Sequence, residues 1–168
     1  MTTGPVHIAF LGCGFITGVH SRHLKRLRGD VTCSYASRDV AKAELFRRRY
    51  RGVRSYEGYV AAIDDPAVDA VVVAVPPRFH LELVLRALNA GKHVLVEKPA
   101  FLRMEDYEQV REARDRARRV VLVGENDHYK PLAACLRRLL SEGAIGDLVL
   151  AHFATLVRRL KSADDWRN

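Results

Sequence analysis

Short apolar runs alternate along the chain with segments in which apolar residues recur at helical spacing. Runs such as AVVVAV and VVLV are continuously apolar, which is typical of strands that are covered on both faces in a parallel sheet. Two segments between or after such runs place leucines and valines at helical spacing, which predicts one apolar stripe on each of two helices: Leu81, Val84, Leu85 and Leu88, and Leu132, Leu136, Leu139 and Leu140. The predicted strands are His7–Leu11, Val31–Ala36, a weak Val53–Ser55, Ala70–Val75, His93–Val96 and Val120–Val123.

Polar and glycine residues mark where the predicted helices begin and end. Asp39 precedes the helical segment Ala41–Arg48 and is suited to cap it, and Gly91 and Gly143 stand where helices are expected to stop. The pattern is a repeated strand-helix-strand unit. It predicts the α/β class, with a doubly wound parallel sheet.

The pattern changes after Gly146, where Asp147–Leu160 is a long strand-like stretch with no helical segment behind it. Such a strand needs partners for its backbone, either at the edge of the same sheet or in a further domain. Self-association through the unpaired stretch is an expectation that follows from the same reasoning.

Composition narrows the class of protein. The 168 residues are 48% hydrophobic and 29% charged, and no run reaches the length of a membrane span or a secretory signal, so a cytoplasmic protein without a membrane partner is expected. The net charge of +8 comes largely from arginines at predicted helix ends, where cations suit the helix dipole, so nucleic-acid binding is not favoured. Cys13, Cys33 and Cys135 are scattered, which predicts buried thiols and no metal site.

The segment GCGFITG follows the first predicted strand and opens the first helix. Gly12 permits a tight turn, Gly14 permits close approach of a ligand, and the N–H groups at the start of the helix, at Phe15 and Ile16, suit a pyrophosphate. The third glycine of the usual GxGxxG fingerprint arrives one place late, at Gly18, with Thr17 in its place. A glycine turn that holds no ligand is the alternative interpretation.

The second predicted strand leads into Ser37 and Arg38, with an acid only at Asp39. A hydroxyl and a guanidinium suit a 2′-phosphate, whereas an acid would suit the free ribose of NAD. The sequence therefore favours NADP, with NAD as the second choice. The alternative is that Arg38 is a solvated residue before a capped helix.

Several motifs together resemble the Gfo/Idh/MocA oxidoreductases: GCGFITGVH, VAVPPRFHLELVLRALNAGKHVLVEKP, GENDHYKP and EGAIGDLVLAHF. The resemblance implies that Glu97, Lys98 and Pro99 reach the nicotinamide and the substrate, and that Lys98 is catalytic, through a hydrogen bond to a substrate hydroxyl. A surface lysine before a strand-ending proline is the alternative.

The resemblance also places Pro76 and His80 in the cofactor cleft, although His80 is equally suited to capping its helix. His20 is expected to be a packing residue rather than a ligand.

The resemblance implies the nucleotide-binding half of an NAD(P)-dependent oxidoreductase that transfers a hydride to or from a sugar, polyol or related hydroxyl compound. The resemblance further implies that residues 1–146 form the dinucleotide-binding domain, with a Rossmann-like dinucleotide-binding fold, and that residues 147–168 are the start of a truncated C-terminal α/β substrate domain. The family's second domain carries a histidine that is often the acid/base, so the chain alone is expected to bind the cofactor with little turnover. A non-catalytic NAD(P)-binding sensor or regulatory protein of the same fold is the alternative function.

Overall fold

The computed structural model describes residues 4–27, 29–154 and 156. The chain divides into two compact units, residues 1–125 and 126–168. The first unit holds a parallel sheet of six strands in the order β3-β2-β1-β4-β5-β6, which confirms the predicted doubly wound, Rossmann-like class. The strands are β1 (Val6–Leu11), β2 (Val31–Ser37), β3 (Ser55–Glu57), β4 (Ala70–Val73), β5 (His93–Val96) and β6 (Val121–Val123).

Helices connect successive strands and cover the sheet. In the first unit they are α1 (Phe15–Leu24), α2 (Val40–Tyr50), α3 (Val60–Asp64), α4 (His80–Asn89) and α5 (Met104–Ala117). The Asp39 carboxylate accepts hydrogen bonds from the backbone N–H groups of Ala41 and Lys42, at 3.0 and 3.4 Å, and so caps α2 as predicted. Gly91 has a φ of +71° just beyond α4, as the predicted helix stop requires.

Apolar clusters lie on both faces of the sheet. Ala9 and Leu11 of β1 belong to one cluster, with Val71, Val73, Val94 and Val96 and with residues of α4 and α5. Phe10 points to the other face, where it packs with Tyr35, Val72 and residues of α2. Burial on both faces explains why the central strands are continuously apolar, as the sequence pattern predicted.

The buried face of α4 differs from the predicted stripe. Val84 and Leu88 are buried as expected, but Leu81 and Leu85 are only half-buried, and His80, Leu83 and Ala87 complete the buried face. The helix has apolar residues on two sides, so spacing alone did not identify the side that packs against the sheet and α5.

The second unit contains a short 3-10 helix, Asn126–Tyr129, followed by α6 (Pro131–Ser141). Gly143 has a φ of +65° beyond α6, where the predicted stop lies. The predicted strand Asp147–Leu160 is wrong for its described residues, 147–154 and 156, because none of them forms a strand ladder. An apolar pattern yields a strand only where a second strand pairs with its backbone, and Val157–Leu160 and Trp166 lie outside the described residues.

Burial of the cysteines is only partly as expected. Cys13 is buried, Cys33 is half-buried, and Cys135 on α6 is exposed, so the expectation is wrong for Cys135. No residue of α6 is buried within the structure, which is why a cysteine on this helix stays accessible. No helix among the described residues is both long enough and apolar enough to cross a membrane.

Candidate cofactor-binding site

The glycine turn joins β1 to α1 at the carboxyl-end edge of the sheet. Gly12 has a φ of +108°, and a Cβ at this position would overlap the carbonyl oxygen of Ala74, just beyond β4. The close approach of two strand ends therefore requires a glycine here. The Thr17 hydroxyl donates a hydrogen bond of 2.6 Å to the Gly12 carbonyl and fixes the turn from within the helix.

Gly14 has a different role, because the fold itself does not demand a glycine there. Its φ of −106° is open to any residue, and a Cβ would meet no atom within 4 Å. It precedes the first turn of α1 without a side-chain cap. A helix N-terminus with open space beside it suits the close approach of a phosphate group, and Phe15 and Ile16 follow it as predicted, Phe15 being 86% exposed.

Gly18 packs against α2 rather than completing the glycine fingerprint. A Cβ on Gly18 would lie 3.0 Å from the hydroxyl oxygen of Tyr50, the last residue of α2. The small residue that usually allows close helix packing is thus displaced by one position, while the position before it, Thr17, bonds to the turn. Gly18 therefore allows the close contact with α2, although it lies one position later than the third glycine of the usual fingerprint.

Ser37 and Arg38 end β2 at the same edge. Ser37 is buried, and its Oγ accepts a hydrogen bond of 3.2 Å from the Asp39 N–H. Arg38 is exposed, and its guanidinium carbon lies 6.0 Å from the centre of the Phe79 ring. The structure therefore places a guanidinium, but not a carboxylate, directly after the second strand.

Glu97 and Lys98 follow β5. The side chain of Glu97 is 13% exposed, and its Oε1 accepts a hydrogen bond of 2.6 Å from His20 Nε2 on α1. Its Oε2 accepts a longer bond of 3.3 Å from the Lys98 N–H. Burial alone would raise the pKa of Glu97, but the hydrogen bond and charge of His20 and the contacts with Lys98 together hold the pKa below its ordinary value. Lys98 itself is exposed and precedes a cis peptide bond to Pro99.

Gly124, just after β6, closes the other side of the Glu97 carboxylate. A Cβ on Gly124 would lie 3.1 to 3.4 Å from the carboxyl atoms of Glu97. The carboxylate is therefore enclosed between α1 and the end of β6, and it holds the start of the Glu97–Lys98 segment in one place.

His80 is placed differently from the predicted cofactor contact. Its side chain is buried, with Nε2 2.8 Å from the Val75 carbonyl oxygen and Nδ1 2.9 Å from the Ala100 carbonyl oxygen. Both nitrogens are thus engaged with backbone, so the ring connects the segment after β4 to the segment after Lys98 and presents no surface to a ligand. Pro76, at the start of that first segment, is exposed.

His20 is the site residue that the sequence reasoning missed. It packs against Phe10 as expected, with ring centres 6.3 Å apart, but its hydrogen bond to Glu97 was not anticipated. Thr17, His20 and Ser21 are polar residues on one side of α1, and Thr17 and Ser21 are buried. A polar stripe on the sheet-facing side of a helix is the signal that would have indicated hydrogen bonding at this edge.

Comparison with known proteins identifies the family to which this fold belongs. Residues 6–125 match the Gfo/Idh/MocA family model, described as an oxidoreductase family with an NAD-binding Rossmann fold. The chain is 35% identical over 155 residues to inositol 2-dehydrogenase from Acidothermus cellulolyticus, which covers 91% of this chain and 46% of that protein. It is 36% identical over 151 residues to dTDP-3,4-didehydro-2,6-dideoxy-alpha-D-glucose 3-reductase from Saccharopolyspora spinosa, with coverages of 86% and 43%.

Among solved structures, the 3-ketoreductase KijD10 from Actinomadura kijaniata, in complex with NADP and TDP-benzene, superimposes with a TM-score of 0.77 at 29% identity. That match covers 85% of this chain and 44% of KijD10. The chain thus spans about half the length of the relatives it matches. The chain belongs to the Gfo/Idh/MocA oxidoreductase family, and its residues 6–125 form the NAD-binding Rossmann domain.

Proposed function

We propose that this chain is the NADP-binding part of an oxidoreductase that transfers a hydride to or from a sugar, polyol or related hydroxyl compound. The proposal rests on the position of the candidate residues at one edge of the sheet. They lie at, or just beyond, the carboxyl ends of four neighbouring parallel strands, where open α/β sheets bind their ligands. These residues are the Gly12–Gly14 turn, Ser37 with Arg38, Pro76, and Glu97 with Lys98.

The residues present fit a dinucleotide. Gly14 leaves open space at the uncapped start of α1, which suits a pyrophosphate, and the Arg38 guanidinium after β2 suits a 2′-phosphate. The NADP found in the KijD10 structure supports the same choice for this chain. Selection of NADP over NAD rests on Arg38 and on the lack of an acid at the end of β2.

Lys98 is the residue we assign to proton transfer. When bound, the nicotinamide supplies the hydride donor or acceptor. The exposed Lys98 ammonium follows β5 directly and is suited to donate a hydrogen bond to a substrate oxygen and to stabilise charge that develops there. Glu97, held by His20 and in contact with the Lys98 N–H, fixes the backbone from which that side chain projects.

The substrate class rests on the relatives. The two curated relatives named above carry the names of an inositol dehydrogenase and a deoxysugar 3-reductase. Both names describe chemistry at a carbon that bears a hydroxyl or a carbonyl group. For this chain we propose only the chemistry that the two names share, and neither of the two substrates.

A substitution at Gly14 tests whether the dinucleotide binds at the glycine turn. In Gly14→Leu, the side chain fills space that is open in the structure, so we expect NADPH affinity measured by calorimetry to fall at least about tenfold, or about 1.4 kcal/mol. Gly4→Leu is the matched control, because a Cβ at Gly4 also meets nothing within 4 Å and Gly4 precedes β1. Circular dichroism establishes that both variants are folded. Equal NADPH affinity in the two variants would contradict the proposed site.

A further inference from the structure

Two arginines at the carboxyl-end edge share one aromatic ring. The guanidinium carbon of Arg78 lies 4.7 Å from the centre of the Phe79 ring, and that of Arg38 lies 6.0 Å from the same centre. Both distances are within the range of cation–π attraction. One half-buried ring is therefore in contact with two guanidinium groups from different loops.

The two arginines flank the glycine turn. Arg38 directly follows β2, and Arg78 lies in the short 3-10 helix Pro77–Phe79 that follows β4. The strands β2 and β4 are the two neighbours of β1, whose end carries the turn. A ligand with its pyrophosphate at Gly14 would therefore extend past this arginine pair.

The charges of the two groups are not balanced by nearby acids. Within residues 4–27, 29–154 and 156, no carboxylate lies within ion-pair distance of either guanidinium, whereas Arg47, Arg48, Arg54 and Arg86 each have a carboxylate partner. The acid nearest to Arg38 in sequence, Asp39, accepts hydrogen bonds from the backbone N–H groups at the N-terminus of α2. Two like charges that contact the same ring and have no counter-charge favour the binding of a doubly charged anion.

We propose that Arg78 is a second specificity-determining residue for NADP, and that it and Arg38 together bind the 2′-phosphate on the adenosine ribose, with the Phe79 ring holding the two guanidinium groups. This inference rests on the proposed NADP-binding function. The inference adds Arg78, from the loop after β4, to a 2′-phosphate site that the sequence pattern predicted only at the end of β2. A phosphate monoester dianion has enough oxygens to accept hydrogen bonds from both planar groups.

The test compares 2′,5′-ADP, which carries one phosphate at each of these two positions, with 5′-AMP, from which it differs by the 2′-phosphate alone. Calorimetric titrations are made on the unsubstituted chain, on Arg78→Ala and on Arg116→Ala. Arg116 is the matched control, because it is an exposed arginine in the last turn of α5, which leads into the opposite edge of the sheet. Arg78→Gln is the second variant, which keeps a polar side chain of similar length, and thermal unfolding establishes that all variants are folded.

We expect the unsubstituted chain and Arg116→Ala to bind 2′,5′-ADP more tightly than 5′-AMP. In Arg78→Ala and Arg78→Gln, the preference is expected to fall about tenfold, with 5′-AMP affinity little changed. An unchanged preference, or an equal loss for both ligands, would overturn the role of Arg78. Failure of the unsubstituted chain to bind NADPH or NADH would instead overturn the proposed function itself.

Discussion

His20 Nε2 donates a hydrogen bond of 2.6 Å to Glu97 Oε1. This bond joins α1 to the residue that directly follows β5. His20 lies in the second turn of α1, the helix that follows the glycine turn, and Glu97 immediately precedes Lys98. A shift in α1 would therefore displace Glu97, and with it the backbone that carries Lys98. The pair connects the proposed pyrophosphate site to the proposed proton-transfer residue.

The first prediction concerns the charge on Glu97. Because the pKa of Glu97 is lowered in the folded state, ionisation favours folding above the unfolded pKa of about 4.3, and this contribution is lost as the pH falls through the folded pKa. We expect Glu97→Gln to cost about 1 to 2 kcal/mol of unfolding free energy at pH 7, because it replaces a charge-assisted bond by a neutral one. Urea unfolding at pH 7 and at pH 3.5 measures the cost.

The expected difference between Glu97→Gln and the unsubstituted chain is smaller at pH 3.5 than at pH 7. Glu82→Gln removes the same charge from an exposed position on α4 and serves as the control. A constant difference between Glu97→Gln and the unsubstituted chain at both pH values would contradict the role of the charge.

The second prediction separates the two glycines of the turn. Gly12→Ala is expected to lose more than about 2 kcal/mol of unfolding free energy, because its φ is positive and its Cβ would overlap the Ala74 carbonyl. Gly14→Ala has neither problem and is expected to stay within about 1 kcal/mol of the unsubstituted chain. Urea unfolding of the two variants at pH 7 checks this order. Equal losses would show that the turn is not constrained as described.

The third prediction concerns the start of α2. Asp39→Ala removes the acceptor of two backbone N–H groups and is expected to cost about 1 kcal/mol of unfolding free energy, whereas Asp39→Asn keeps an acceptor and is expected to retain most of the stability. Thermal or urea unfolding distinguishes the two. If Asp39→Asn and Asp39→Ala lowered the unfolding free energy equally, the charge of Asp39 rather than its capping hydrogen bonds would explain the effect.

The fourth prediction concerns thiol reactivity. Burial raises the pKa of Cys13 to about 11, with a smaller opposing effect from the charge of Lys42, and burial likewise raises the pKa of Cys33 to about 11. Because the thiolate is the reactive form, iodoacetamide at pH 8 is expected to label the exposed Cys135 well before the other two. Mass spectrometry of the digested protein gives the order. Early labelling of Cys13 in folded protein would contradict its burial.

The sequence was informative where one residue type has one physical explanation. Continuous apolar runs predicted the strands because both faces of the sheet are covered, and Asp39 and Gly91 marked helix ends because capping and a positive φ restrict the choice of residue. Gly12 was placed at the correct turn, although the reason for it, the Ala74 carbonyl, comes from a strand distant in sequence.

Long-range polar contacts were not predictable in the same way. Lys92 reads as a surface residue, but it is buried and its Nζ donates to the carbonyls of Asp65 and Val68, at 2.8 and 2.6 Å. His20 and Glu97 are likewise far apart in sequence, and only the packing of α1 against the sheet brings them together. Residues 148–154 have a strand-like composition but form no strand, because a strand also needs a partner and the composition of one segment does not show whether a partner lies beside it.

The most direct test of whether Arg38 selects NADP is a pair of calorimetric titrations of the unsubstituted chain, one with NADPH and one with NADH, repeated on Arg38→Ala. We expect NADPH to bind about tenfold more tightly than NADH, and Arg38→Ala to remove most of that difference while leaving NADH affinity nearly unchanged. Binding of neither cofactor, or a preference for NADH that Arg38→Ala does not alter, would contradict this expectation.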